Sequence, residues 1–346
     1  MRAAGPGELG PPTAVVLGAA GFIGRAVCAA LHAAGWPVTG VVRRRTEPTP
    51  WPTRRLELVG ATGGELFATL AELRPTLVVN AAGALWATTD DELIVGNVTL
   101  VGRVVAAVAA LPRPARLVHL GSAYEYGDQP GLDLLSEHLP GRPTSPYGQA
   151  KLAGTQLVTR AVAQGRVDAV VLRLSLALGP FAPRHGLIGG LAHQLAGHPA
   201  ELRLPPISGV RDIVDVRDVA EAVLRAAVRP SVAPVVNVGG GVGVRLTDAV
   251  DELLRIAGST ATVVRVPPPP GRRHGAAGDL PLDIGLARRC LGWSPRRRLT
   301  ETLRAVWDTV AAPVGVAGEP PARDGGTGTA TSTSTSTLVL DGETRG

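Results

Sequence analysis

The stretch 13-TAVVLGAAGFIG-24 constrains the fold more than any other part of this chain. A short apolar run rich in β-branched residues reads as a strand, ends at Gly18, and passes through Gly21 and Gly24 into the helix-like 25-RAVCAALHAAG-35. Glycines at this spacing let backbone approach a ligand closely, and the helix behind them offers oriented N–H groups and a positive dipole. Among 44 glycines a Gly-rich stretch alone would be weak, so the strand–turn–helix context carries the reading. It predicts a dinucleotide pyrophosphate held by Gly18, Gly21, Phe22, Ile23 and Gly24.

The pattern continues. Strand-like runs follow at 38-VTGVV-42, 77-LVVNAA-82, 116-RLVHLGS-122 and 169-AVVLRLSLAL-178, with helical segments such as 97–111 and 147–165 between them. The strands are apolar throughout, as expected for a parallel sheet covered on both faces. The fold class is therefore α/β, a Rossmann-type doubly wound parallel sheet with a smaller C-terminal substrate-binding lobe. Residues 1–12 read as a flexible leader and 13–180 as the dinucleotide-binding core. Residues 181–312, with helices near 186–197, 218–228 and 246–257, read as the substrate-binding lobe, some segments returning to the core. The Thr/Ser-rich stretch 313–346 has too little apolar surface to offset its ordering entropy and is expected to be disordered.

The second strand ends at 43-RRR-45, where a carboxylate would hold an adenosine ribose 2′-hydroxyl. Arg43 and Arg44 in that place pair with a 2′-phosphate instead, so NADP(H) is favoured over NAD(H). The bland alternative is a solvated arginine run in a loop.

The chain writes 34 of its cations as Arg and one as Lys, and that Lys151 stands four positions after Tyr147. Ser145 and Pro146 look like an N-cap and first helical residue. Positions 147 and 151 then share one helix face. An ammonium beside a phenol lowers its pKa, so Tyr147 can exchange a proton with a substrate oxygen. Ser122, ending the strand 116–122, can hydrogen-bond the same oxygen. Against this stands chance survival of one lysine on a solvated face.

GAAGFIG, VVNAAG, HLGSAYEYG and SPYGQAK, in this order, resemble the extended short-chain dehydrogenase/reductase superfamily, in its nucleotide-sugar epimerase, dehydratase and reductase branch. The likeness covers about residues 13–310. It implies Ser122, Tyr147 and Lys151 as the catalytic triad, with Asn80, Ala81, Ala82 and Gly83 beside the dinucleotide and Asn97 as a structural or relay residue. It places Ser122, Tyr124, Arg211 and Arg273 at the substrate, Arg211 on its diphosphate. Dehydratases of this branch carry an Asp-Glu pair where this chain has Ala123 and Tyr124, so dehydration is not expected. Leu176 stands where epimerases keep an Asn, and a phosphate-binding Arg falls at Ala276, with Arg272 or Arg273 nearby. The resemblance is nearest to nucleotide-linked 4-keto-6-deoxyhexose reductases. Alternatives are a 4-epimerase, a ketoreductase of a non-nucleotide metabolite, and a non-enzymatic dinucleotide sensor, against which the intact triad argues.

Composition excludes several other classes. Cys28 and Cys290 lie too far apart in sequence for a ligand motif, and fit a reducing cytoplasm. Asp212, Asp215 and Asp218 straddle a strand–helix junction and are not expected to bind metal; Asp218 reads as a helix N-cap. His185, His193 and His198 lack metal spacing, and Trp293 and Trp307 read as packing residues. The net charge of +6 comes from scattered arginines without interleaved aromatics, so nucleic acid is not an expected partner. No apolar run reads as a membrane span. The expected partners are a small-molecule substrate, by resemblance a nucleotide-diphosphate sugar, and a second copy of the chain in a homodimer.

Overall fold

A computed structural model describes residues 12–44, 48–84, 89–204, 206–229, 233–266 and 280–311. The leader, Arg45, Arg272, Arg273, Ala276 and the stretch 313–346 lie outside these residues, apart from position 12 of the leader. The described residues all belong to one compact unit.

The strands are β1 Ala14–Leu17, β2 Val38–Val42, β3 Thr53–Arg55, β4 Leu77–Asn80, β5 Arg116–Ser122, β6 Asp168–Leu174, β7 Leu176–Leu178, β8 Glu201–Leu204, β9 Val210–Asp215, β10 Val235–Val238, β11 Gly243–Arg245 and β12 Thr262–Arg265. The helices are α1 Phe22–Ala33, α2 Gly63–Leu73, α3 Asp90–Ile94, α4 Leu100–Ala109, α5 Pro146–Ala163, α6 Leu187–Leu195, α7 Val216–Val228, α8 Leu246–Ile256 and α9 Leu299–Ala311. Seven strands make a parallel sheet in the order β10-β6-β5-β4-β1-β2-β3. The expected doubly wound parallel sheet is present. The chain runs outward from β1 to β3, then restarts on the other side of β1 with β4. That reversal opens a crevice at the carboxyl ends of β1 and β4, where ligands bind in such sheets.

Alternation within each strand explains why both faces are covered. Ala14 and Val16 of β1 join Val79, Val118, Val170 and Leu172 in one core under α1 and α7. Val15 and Leu17 join Val78, Leu117, Ala169 and Val171 in a second core under α2, α4 and α5. Successive side chains point to opposite faces, so a strand that is apolar at every position fits only between two helical layers. A third core gathers Ile188, Leu191, Leu202, Ala249, Leu253, Leu303 and Val306 from α6, β8, α8 and α9.

Three expectations change. The run 169–178 is two strands: Ser175 donates its N–H to the Val238 carbonyl (3.1 Å), and from Leu176 the chain pairs with β9 in a second sheet, β11-β9-β7. The N-cap of α7 is Asp215, which accepts the Arg217 N–H at 2.8 Å. Asp218 lies inside the helix and accepts the backbone N–H groups of Arg296 and Arg297 at 3.1 and 3.0 Å, so it ties α7 to the closing segment. Finally, the continuous helical stretch Asp90–Ala109 is long and apolar enough to pass for a membrane span, although half of its most apolar window is buried in the molecule. Its apolar residues Val101, Val104, Val105 and Val108 fill the second core instead.

Candidate active site

The Gly-rich turn is built for close approach. Gly18 has φ +78°, and a Cβ there would sit 2.9 Å from the Ala82 backbone, so the loops after β1 and β4 meet only because Gly18 has no side chain. A Cβ on Gly24 would collide with the Gly18 carbonyl, which fixes the turn tightly against α1. The start of α1 differs from two other helices of the chain. Thr62 before α2 and Thr89 before α3 each form a capping box with a glutamate of the first turn. Gly21 before α1 provides no side-chain cap, and the first turn carries no acid. The N–H groups of Phe22, Ile23 and Gly24 therefore face a place suited to an anion. These features fit a dinucleotide pyrophosphate.

Beyond β4, Asn80 ends the strand buried, with its amide 3.1 Å from His119 Nδ1 and its Oδ1 accepting the Ala82 N–H at 3.3 Å. Ala81 donates to the Leu17 carbonyl at 3.1 Å, binding this loop to β1. Asn97 sits in a single π-helical turn between α3 and α4. Its amide donates to the carbonyls of Ala84 (2.8 Å) and Leu93 (3.1 Å), which pins the loop containing Gly83. At the end of β2, Arg43 and Arg44 are exposed, and Arg43 lies 3.7 Å from Glu57.

Ser145 caps α5 as expected, accepting the Gly148 N–H at 3.1 Å, with Pro146 at the first helical position. Tyr147 and Lys151 thus stand one turn apart, facing the end of β5. Lys151 is 6% exposed and donates from Nζ to the Leu120 carbonyl at 2.5 Å. It does not lie on a solvated face. Burial pulls its pKa down from 10.5 to about 8, with the carboxylate of Glu125 acting in the opposite direction. Tyr147 is partly exposed; desolvation raises its pKa, and a hydrogen bond with Ser122 opposes the rise. Ser122 is buried, and its Oγ accepts the Tyr124 N–H at 3.3 Å, which leaves the hydroxyl proton to be donated elsewhere. The Tyr124 ring packs edge-on against Tyr147, with centroids 5.5 Å apart.

Arg211 lies on β9, half-buried, with Nη1 on the Val210 carbonyl at 2.6 Å. Arg273 lies outside the described residues. The three aspartates do not converge. Asp212 accepts the N–H groups of Gly241 (3.0 Å) and Leu282 (2.9 Å), Asp215 pairs with Arg217 at 2.7 Å, and Asp218 pairs with Arg297. Among the described residues no group of three His, Cys, Asp or Glu side chains is placed to hold a metal.

Sequence reasoning missed a buried polar chain beneath the triad. Glu125, fully buried, accepts the Ser122 N–H at 2.8 Å and pairs with Arg173 at 2.8 Å. Arg173 stacks on the Tyr126 ring, 4.3 Å from its centroid, and the Tyr126 hydroxyl donates to Asn237 at 2.7 Å. The available signal was an arginine inside the apolar strand DAVVLRL, which needs a buried anion nearby.

The sequence profile of the NAD dependent epimerase/dehydratase family matches residues 14–239. The dTDP-6-deoxy-L-talose 4-dehydrogenase (NAD(P)(+)) of Kitasatospora kifunensis is 41% identical over 303 residues, covering 86% of this chain and 95% of that protein. The UDP-glucose 4-epimerase of Mycolicibacterium smegmatis is 30% identical over 305 residues, covering 83% and 95%. Among solved structures, the Thermus thermophilus UDP-glucose 4-epimerase complex with NAD superposes with a TM-score of 0.77 at 25% identity, covering 87% of this chain and 100% of that one. With its Gly-rich turn, its Tyr147/Lys151 pair and these relatives, the chain is an NAD(P)-dependent enzyme belonging to the NAD dependent epimerase/dehydratase family.

Proposed function

We propose that this chain is an NADP(H)-dependent reductase of the 4-keto group of a nucleotide-activated deoxysugar, working in the cytoplasm. The observation that carries the reading is the cluster of Ser122, Tyr147 and a buried Lys151 at the carboxyl end of β5. The relative at 41% identity is named as a 4-dehydrogenase of a dTDP-deoxysugar, which is the same carbinol/ketone couple run in reverse.

Bound NADPH supplies the hydride. The N–H groups at the start of α1 hold the pyrophosphate, and Arg43 and Arg44 meet the 2′-phosphate, Arg43 giving up its long contact with Glu57. Lys151 has three N–H donors and spends one on Leu120, so two remain for the nicotinamide ribose and for orienting Tyr147. Tyr147 gives its proton to the oxygen as negative charge develops there, and Ser122 donates its hydroxyl hydrogen bond to the same oxygen. Tyr124 packs beside the reacting ring. The lobe built on β7, β9 and β11 takes the nucleotide diphosphate, with Arg211 on its charge.

A 4-epimerase is the second reading, supported by the relative at 30% identity and the NAD-bound neighbour. Product NMR separates the two, using a panel of nucleotide-linked 4-keto sugars with NADPH. The reductase consumes NADPH in proportion to one new C4 carbinol. Interconversion of C4 epimers without net NADPH consumption would overturn the reductase assignment.

A further inference from the structure

The triad does not use Glu125, yet no carboxylate in the described core is more completely enclosed. One of its oxygens accepts the Ser122 N–H at 2.8 Å, and the other takes Arg173 through Nε (2.9 Å) and a second guanidinium nitrogen (2.8 Å). Its position is set from several sides. A Cβ on Gly121 would lie 2.8 Å from Glu125 Oε1 and 3.4 Å from Thr155 Oγ1, one turn beyond Lys151 on α5. The carboxylate thus occupies the gap between β5 and α5 that glycine leaves open. Arg173 is itself held by the Tyr126 ring, whose hydroxyl is anchored on Asn237.

We propose that Glu125 is a positioning residue for the reaction: one oxygen fixes the main chain of Ser122, and its carboxylate holds a place in the same β5/α5 gap as the Lys151 ammonium, which is bonded to the neighbouring Leu120 carbonyl. This rests on the triad reading given above. An ammonium 6% exposed gains little from water, so a fixed anion in the same low-dielectric layer is what favours its charged form. The groups acting on this layer are Glu125 from the turn after β5, Arg173 from β6, His119 from β5, Tyr124 and Tyr126 beside Glu125, Tyr147 from α5, and Glu137 beyond Tyr126. Of these, Glu125 is the charge that reaches Lys151 and supports its protonation. His119 is kept neutral by burial and by Lys151 itself, so it adds no like charge beside the ammonium. Tyr147 feels the same carboxylate, which disfavours its phenolate and keeps the proton available for donation.

The chain has one lysine, so ε-labelled lysine gives a single side-chain NMR signal in the full-length protein. In Glu125→Gln the Lys151 titration midpoint should fall by about one pH unit, and in Glu125→Asp it should return most of the way. A midpoint that stays at the wild-type value in Glu125→Gln would overturn the proposal. A lone unpaired Arg173 can prevent folding, so the pair Glu125→Met/Arg173→Met provides the second arm, since an apolar pair of similar volume is well tolerated. There the midpoint should still fall, by less; an unchanged value again overturns the proposal. The titration needs no substrate, so it stands apart from the reductase assay: loss of the 4-keto reading would leave the Lys151 shift intact.

Discussion

The two ends of the proposed cofactor site are built in opposite ways. At the reaction end, Lys151, Glu125 and Arg173 are all at most 6% exposed, and each has a named partner within 2.9 Å. At the adenosine end, Arg43 is 64% exposed at its side chain and its ion pair with Glu57 spans 3.7 Å. Charges in water are screened and interact weakly, whereas the same charges under a sheet shift protonation states. On the proposed reading, the buried end sets the chemistry and the exposed end adjusts which dinucleotide is preferred. Effects of mutation should scale accordingly.

The largest effect is expected at Tyr147. Tyr147→Phe keeps the ring packed against Tyr124 but removes the proton, so turnover should drop by about 10²–10⁴-fold with cofactor affinity retained. Stopped-flow NADPH oxidation measures the first and a fluorescence titration the second. Retained turnover would erase the distinction between the two ends. Next comes Gly18→Ala, which forces a side chain into φ +78° and against the Ala82 backbone. Strain of about 1–3 kcal/mol should appear as a lower Tm and weaker binding of either dinucleotide. At the exposed end, Arg43→Ala/Arg44→Ala should weaken NADPH about tenfold, on the order of 1.4 kcal/mol, and leave NADH unchanged. Equal losses for both cofactors would show that the pair does not read a 2′-phosphate.

The pH profile sharpens the same contrast. Lys151 has its pKa lowered to about 8, so it is charged below that pH and neutral above it. Burial holds the Tyr147 proton on, so the ammonium titrates first. Reduction should therefore be level below about pH 8 and fall as pH rises through it. A profile level to about pH 10 would place Lys151 outside the proton-transfer step.

Local features were the ones legible in sequence. The β1–turn–α1 unit, the Ser145/Pro146 helix start and the Tyr147/Lys151 spacing all depend on residues close together in the sequence. Features that depend on distant residues were hidden. Glu125 and Arg173 are 48 positions apart, and only the pairing of β5 with β6 brings them together. The switch of sheets at Ser175 is set by β9 and β10, which arrive later in the chain. Periodicity cannot show it, because an apolar run reads the same whichever sheet receives it. Asp218 reads as the cap because it too precedes an apolar helical run, while its partners, Arg296 and Arg297, lie 78 and 79 residues away.

The central claim is that Lys151 is kept as a lysine for its chemistry, in a chain that uses arginine for its other 34 basic side chains. Lys151→Arg tests it most directly, measured as turnover of a nucleotide-linked 4-keto sugar with NADPH at neutral pH. Arginine keeps the charge but is planar, forked and larger, and cannot fill the buried place against the Leu120 carbonyl in the same way. The account predicts a loss of at least about tenfold in turnover, with weaker cofactor binding. Wild-type turnover and affinity in Lys151→Arg would contradict it.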